Sequence, residues 1–449
     1  MKNICNASSF VFADKYIESI AEFGDLVFWE EEKTKLTYRM FHRNVCAAAS
    51  YIAQLNSPLV ALYIQKPLYM TIGIIACLYS GITFIPCGED NYLHISSVTE
   101  YKDVPVIMDD EIEDAIKKGA DFSVNKTINE NWTAIVAFSS GTMSDPKGVC
   151  LSYHNIMSDV LSGLRAFDCK QGTRYLHILP LYHMFGISVE LLPVLFSGGT
   201  ICCSKSPYFF IEDVIKYGVD ISFVPVGMAE VLLKVMRAKN DFSFKLGNLK
   251  TLLCGGAKLP KEISEGLMEY NILALGSYGM TECSPGIAIN SVRDHKFGSA
   301  GKVIDCCEVT IGDNSEILVK GDNLFERYFG DDNPQVDSEG WFHTKDYGYI
   351  DAEGFLWIEG RIDDIIVLSD GHKYSAEKYE SMINKIDGVQ ESLLINHKAD
   401  GLTCYVYSDE GEKSTIEKQI YAMSHAITKI VFTDQPLPKN GLGKLKRYL

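Results

Sequence analysis

The chain has 449 residues, 47% of them apolar and 22% charged, with a net charge of -17. That length suggests about three structural units, and the composition excludes fibrous, low-complexity and solenoid classes. So acidic a chain is a poor general binder of nucleic acid or of anionic membranes, both of which reward positive charge, so the cations that matter for function are expected to be local.

In chain order, the first long apolar stretch lies between Lys66 and Glu89, which enclose "PLYMTIGIIACLYSGITFIPCG" without a charge. Its length would cross a bilayer. Ser80-Gly81 interrupt it, however, and "VALYIQ", "LYMTIGIIACLYSG" and "ITFIPC" divide it into strand, helix and strand, so it reads as a buried β-α-β unit and not a membrane span. From Thr173 the alternation continues. "TRYLHILPLY", "TICCS", "VDISFVPV" and "LKTLLCGGAKL" read as strands, and "ISVELLPVLFSGG", "FFIEDVIKYG", "MAEVLLKVMRA" and "PKEISEGLMEY" as helices. Such alternation predicts an α/β fold of parallel-type sheets covered by helices, with ligands bound in loops beyond the carboxyl ends of strands. After about residue 290, "GKVIDCCEVTIGDNSEILVKG" and "GFLWIEG" predict short strands in a separate β-rich subdomain, about 290–361. Roughly eighty residues of mixed character follow a charged linker near Arg361 to Asp364 and predict a small α+β C-terminal domain. The expected division is therefore 1–361 and 362–449.

Thirteen cysteines occur at irregular spacing, without C-x-x-C, and most lie in apolar runs. They read as reduced, buried thiols and not as zinc ligands, which fits a cytoplasmic protein. The N-terminal segment lacks the basic start and continuous apolar stretch of a signal peptide.

Five stretches carry candidate chemistry. "FSSGTMSDPKGV" offers Ser139, Ser140 and Thr142 hydroxyls, the permissive backbone of Gly141, and the charge of Lys147. Its spacing is not that of a Walker A loop, and taken alone it fits a polar turn as well as an anion cradle. "GSYGMTECSP" places Tyr278, Gly279, Thr281 and Glu282 together, and one carboxylate beside hydroxyls suits Mg²⁺. "GWFHTKDYG" places Asp346 where a carboxylate could accept from ribose hydroxyls, and "IEGRIDD" adds Arg361. "PLPKNGLGKLKRYL" places Lys444 in a flexible basic tail.

Taken in order, "SSGTMSDPKGV", "LPLYHMFG", "CGGAKL", "YGMTE", "GWFHTKD", "GRIDDII" and "PKNGLGKLKR" resemble the adenylate-forming superfamily of acyl-CoA and aryl-CoA synthetases, peptide-synthetase adenylation domains and luciferase. The resemblance runs from about Thr37 to Leu449. It implies that Ser139 to Lys147 wrap the terminal phosphates of ATP. It implies that Gly255, Gly256 and Ala257 line the meeting point of adenine and acyl pocket, and that Tyr278 stacks on adenine. Thr281 would contact the α-phosphate, Glu282 would hold Mg²⁺, and Asp346 would bind ribose with Arg361 nearby. His183 would face the reacting carboxylate, Lys444 would reach it from the small domain, and Asp363 would be the hinge. The implied activity is activation of a carboxylic acid by ATP to an acyl-adenylate, then transfer to the thiol of coenzyme A. A carrier protein's phosphopantetheine is the alternative acceptor, and a silent nucleotide-binding protein the alternative of another class.

Two departures stand inside these motifs: Met143-Ser144 replace the family's usual Thr-Gly, and Lys345 replaces a glycine before Asp346. No acid follows His183 closely enough to hold a substrate ammonium, since Phe185 and Gly186 stand there. Glu190 reads as a residue on a helix surface. A fatty or aryl acid is therefore expected over an amino acid.

Overall fold

The computed structural model describes residues 12–89, 92, 103–124, 128–138, 147–167, 169–239, 246–331, 333, 335–362, 365–367, 373–397, 401–408, 413–424, 426–439 and 445. The charge-free stretch folds as its breaks predict. Leu59–Leu62 and Thr83–Pro86 are parallel neighbours joined by helix Pro67–Ser80, which ends at Gly81 in the left-handed conformation. Every side chain from Met70 to Ser80 is buried. A helix apolar all round belongs inside a protein core as readily as in a membrane, and its neighbours decide which. Among the described residues no helix is long and apolar enough to cross a membrane.

This unit belongs to a sheet ordered Arg327–Tyr328, Gly148–Ser152, Thr133–Phe138, Thr83–Pro86, Leu59–Leu62, Val106–Ile107. Strands Thr133–Phe138 and Gly148–Ser152 are antiparallel and pair as a hairpin. A two-residue strand from far along the chain, Arg327–Tyr328, covers the free edge of that hairpin.

The second sheet takes the central alternation. Its strands Thr251–Gly255, Ile221–Pro225, Arg174–His177 and Thr200–Cys203 lie side by side and parallel. Helices Phe210–Tyr217, Val226–Lys239 and Lys261–Met268 pack over them through Leu232, Leu233 and Leu267 among others. The β-rich segment has a buried cluster of its own, with Ile287, Ile317, Val319 and Leu356 among its members, and joins the parallel strands through one shared strand. Strand Leu273–Gly279 pairs parallel with Thr251–Gly255 over Leu273 to Gly276. It then pairs antiparallel with Gly286–Ile289 over Ser277 to Gly279. Gly301–Val303, Phe355–Arg361, Phe342–Ile350, Glu316–Gly321 and Cys307–Ile311 follow, so the β-rich segment extends the same sheet. The change of rhythm near residue 290 marks a switch of pairing from parallel to antiparallel, which needs no break in the sheet.

The C-terminal residues build a third core. Strands Val389–His397, Gly401–Ser408 and Ile427–Thr433 form a sheet, with helices Ala376–Ile383 and Lys413–Met423 beside it. Ile383, Leu402, Cys404, Val406 and Ile420 are buried there. Twelve cysteines fall among the described residues, and all are free thiols.

Candidate active site

The site forms where strand Leu273–Gly279 passes from one pairing partner to the other. A bulge between Tyr278 and Gly279 disturbs the register there, and bulges commonly re-aim side chains beside active sites. A β-carbon at Gly279 would lie 1.9 Å from the Pro285 carbonyl oxygen, so only glycine fits the return of the chain. The tight turn Thr281–Cys283 follows and buries Glu282 to 8% exposure.

Tyr328 donates its hydroxyl to Glu282 Oε1 at 3.0 Å. Lys147, at the root of the hairpin loop, holds its ammonium 4.8 Å from the Tyr328 ring centroid. Burial pushes the Glu282 carboxyl up from its ordinary value. The Tyr328 hydroxyl and the charges of Arg361 and Lys147 draw it back without cancelling that effect. A carboxylate so placed gains from a cation. Mg²⁺ commonly takes one or two protein carboxylates and completes its octahedron with phosphate and water, so the residues present fit it.

Asp346 sits opposite Arg361 across two antiparallel strands, and the carboxylate lies 3.5 Å from the guanidinium. Its other oxygen accepts from the Tyr278 hydroxyl at 2.6 Å. Burial, with the Asp346 anion next in effect, raises the Tyr278 phenol well above its ordinary value, so Tyr278 stays a donor. Asp346 is 7% exposed. The question raised by Lys345 has a geometric answer: its φ is +63°, the left-handed region that favours glycine. Its amide donates to Glu316 Oε1 at 3.1 Å, and its carbonyl accepts from the Ile362 amide at 2.7 Å. These contacts offset a backbone cost of about 1–2 kcal/mol.

Of the glycine loop, Gly256 has φ +81° with open space around it, and Ala257 is exposed. Gly255 lies directly under the Phe185 ring, which a β-carbon would approach to 2.8 Å. His183 stands two residues before Phe185, its ring 4.6 Å from that of Tyr182. The structure therefore brings Lys147, Tyr278, Gly279, Thr281, Glu282, Asp346 and Arg361 into one neighbourhood. Ser139, Ser140, Gly141, Thr142, Met143-Ser144, Asp363 and Lys444 lie outside the described residues.

Two supporting residues had no signal of their own in the sequence. One is Tyr328. The other is Asp159, on helix Tyr153–Ala166, which accepts from the Gly286 amide at 2.9 Å and so pins the far end of the Glu282 turn. Burial pushes the Asp159 carboxyl up to about 8, against the lowering effect of the Gly286 amide and Asn323. The unfolded chain releases this proton near pH 4 and the folded chain only near pH 8. Stability from this group is therefore lost as pH rises between those values, by about 1.4 kcal/mol per pH unit. Asp159→Asn mimics the protonated form and should remove that slope. Thermal melts from pH 5 to 8.5 should show the variant gaining on the parent as pH rises; parallel curves would contradict the assignment.

Glu190 corrects an expectation. It is fully buried, not on a helix surface, and its Oε1 lies 3.1 Å from His177 Nδ1. It stands in Phe185–Leu191, a π-helical turn in which the Leu192 amide reaches back to the Ile187 carbonyl. The added residue per turn shifts the inward face away from the ordinary 3.6-residue pattern.

Comparison with known proteins agrees with this geometry. The family described as AMP-binding enzyme matches residues 88–329. A 2-succinylbenzoate–CoA ligase of Bacillus cereus is 29% identical over 393 residues, covering 79% of each chain. Two solved structures share the fold. ATP-bound MatB from Rhodopseudomonas palustris has a TM-score of 0.83, with 20% identity and 97% of each chain covered. The o-succinylbenzoate coenzyme A synthetase MenE from Bacillus subtilis, in complex with ATP and magnesium ion, has a TM-score of 0.81. It is 23% identical, with 96% of this chain and 98% of that one covered. With more than half of its length matched, and with the motif residues gathered at the bend between parallel and antiparallel pairing, the chain belongs to the AMP-binding enzyme family.

Proposed function

We propose that the protein is an AMP-forming acid–thiol ligase. It activates a carboxylic acid with ATP to an acyl-adenylate and pyrophosphate, then transfers the acyl group to coenzyme A. The observation that carries this reading is the convergence of Lys147, Glu282, Asp346, Tyr278 and Arg361 from five separate strands and turns. A carboxylate is a poor acylating agent, and joining it to a triphosphate brings two anions together. Lys147 supplies positive charge at the root of the phosphate loop, and Glu282 supplies the anchor for Mg²⁺. Bound there, Mg²⁺ would act as a Lewis acid against charge gathering on phosphoryl oxygens. Asp346 accepts hydrogen bonds from the sugar, and the Tyr278 ring supports the base.

The carried-over roles of Ser139 to Thr142, Thr281, His183, Lys444 and the Asp363 hinge belong to the same proposal, as does the division into residues 1–361 and 362–449. The expectation of a fatty or aryl acid narrows to an aryl acid, because the curated relative in the comparison is named for 2-succinylbenzoate. The same name favours coenzyme A over a carrier protein.

The test is acid-dependent ATP–pyrophosphate exchange over a panel of aryl and fatty acids, with and without coenzyme A. Exchange restricted to aryl acids, with thioester appearing only when coenzyme A is added, is the expected result. No exchange with any acid would sink the ligase reading. Exchange without thioester would sink the choice of acceptor.

A further inference from the structure

The Glu282 turn is held from outside itself. Ser284, just beyond it, has φ +67°, in the left-handed region that a residue with a β-carbon enters at a cost. Residues so placed persist only where their surroundings over-determine them. Two segments from elsewhere in the chain supply those surroundings. One is helix Tyr153–Ala166, whose Asp159 accepts from the Gly286 amide at 2.9 Å. The other runs from Asp322 to Tyr328. Its Phe325 amide donates to the Glu282 carbonyl at 2.8 Å, and its Asn323 carbonyl accepts from the Ser284 hydroxyl at 2.8 Å. The helix fixes this segment too. Asn155, one turn before Asp159 and on the same face, donates through Nδ2 to the Asp322 carbonyl at 2.8 Å.

At the centre stands the Asn323 side chain, fully buried. Its Nδ2 donates to the Cys283 carbonyl at 3.0 Å and to the Gly286 carbonyl at 2.6 Å. Its Oδ1 is buried without a hydrogen-bond partner among the described residues. A buried acceptor left unpaired is destabilising, so the amide is there for its donor end. Two carbonyls facing one point call for two N–H bonds on one atom, which a short, uncharged side chain offers only as the asparagine amide. The carbonyls that Asn323 holds flank the turn beyond Glu282, and the Phe325 amide holds the carbonyl of Glu282 itself. Tyr328, from the same segment, donates to the Glu282 carboxylate at 3.0 Å. One short stretch therefore sets both the backbone of Glu282 and the direction of its carboxylate.

We propose that Asn323 is a positioning residue for the divalent-cation site: its amide pins the turn that presents Glu282, so the carboxylate is in place before the cation arrives. This rests on the reading of Glu282 as the Mg²⁺ anchor in the ligase proposed above.

Two variants test it. Asn323→Ala removes both donors, and Asn323→Asp keeps the shape but turns an acceptor onto the two carbonyls. In each, Mn²⁺ affinity, read by electron paramagnetic resonance with α,β-methylene-ATP present, should weaken about 10- to 100-fold, the usual effect of losing a group that orients a metal ligand. Affinity for the same analogue in the presence of a chelator should be unchanged. Leu267→Ala, in a different buried cluster, is the control for lost stability and should leave Mn²⁺ affinity unchanged. If neither Asn323 variant folds, hydrogen exchange on the parent decides: the Phe325 and Gly286 amides should be as protected without Mn²⁺ and analogue as with them. Unchanged Mn²⁺ affinity in a folded Asn323 variant, an equal loss in Leu267→Ala, an equal loss of analogue affinity in chelator, or protection that appears only with metal and analogue would each overturn the proposal. A parent that binds the analogue but no Mn²⁺ would instead remove Glu282 as the cation anchor, and this proposal with it.

Discussion

Glu282→Gln should lower acid-dependent ATP–pyrophosphate exchange about 100- to 1000-fold while leaving the fold intact. The substitution keeps shape and keeps an acceptor for the Tyr328 hydroxyl, 3.0 Å from Oε1. It also replaces a buried charge by a neutral group, which burial already favours at this position. What it removes is the negative charge that would hold a divalent cation against the phosphates. Losing a preorganised electrostatic element of this kind costs about 2.7–4 kcal/mol of transition-state stabilisation. Melting temperature should not fall, and Tyr328→Phe should cost no more than about tenfold, because it alters the carboxylate's orientation and not its charge. Exchange within tenfold of the parent in Glu282→Gln would show that the cation, if needed, is held elsewhere.

The second large effect belongs to Asp346. Asp346→Ala should raise the Michaelis constant for ATP about 100-fold with a smaller change in kcat. The two oxygens of this carboxylate face Tyr278 and Arg361, which fix its plane before any ligand arrives. Hydrogen bonds to a charged group contribute about 1.5–3 kcal/mol each, and contacts to a ribose persist unchanged through the reaction. Removing such uniform binding moves the Michaelis constant more than the rate. Tyr278→Phe provides the control: it deletes the hydroxyl at 2.6 Å but keeps the ring and the carboxylate, so its effect should be several-fold smaller. A fall in kcat alone in Asp346→Ala would move Asp346 from nucleotide recognition into the chemistry.

The residues of this site were legible because each stands in a short stretch of sequence whose composition departs from its surroundings. Glu282 and Asp346 are carboxylates beside glycine and hydroxyl residues, and Lys345 stands where a left-handed backbone asks for glycine. Their convergence was legible only through the resemblance, since 199 positions separate Lys147 from Asp346. Other features were hidden for local reasons. Leu273–Gly279 looks like the last strand of an α/β series, and nothing in its side chains announces that its second half pairs the other way. Glu190 was misplaced because reading a helix at 3.6 residues per turn puts the wrong face inward when the turn is wider. Tyr328 lies in a two-residue strand, too short to show any periodicity.

That two-residue strand also sets when the site can exist. Arg327 pairs with Cys150, so the hairpin formed by Thr133–Phe138 and Gly148–Ser152 waits for a partner 177 residues later. At about 5–20 residues per second of synthesis, its outer edge stays open for roughly 9–35 s. An open strand edge is a template for wrong pairing. During that interval the emerging chain has Lys147 but lacks Tyr328, whose ring faces it and whose hydroxyl donates to Glu282. Catalytic competence is thus acquired late in translation, and a ribosome stalled before Arg327 would display an unguarded hairpin in place of a nucleotide site.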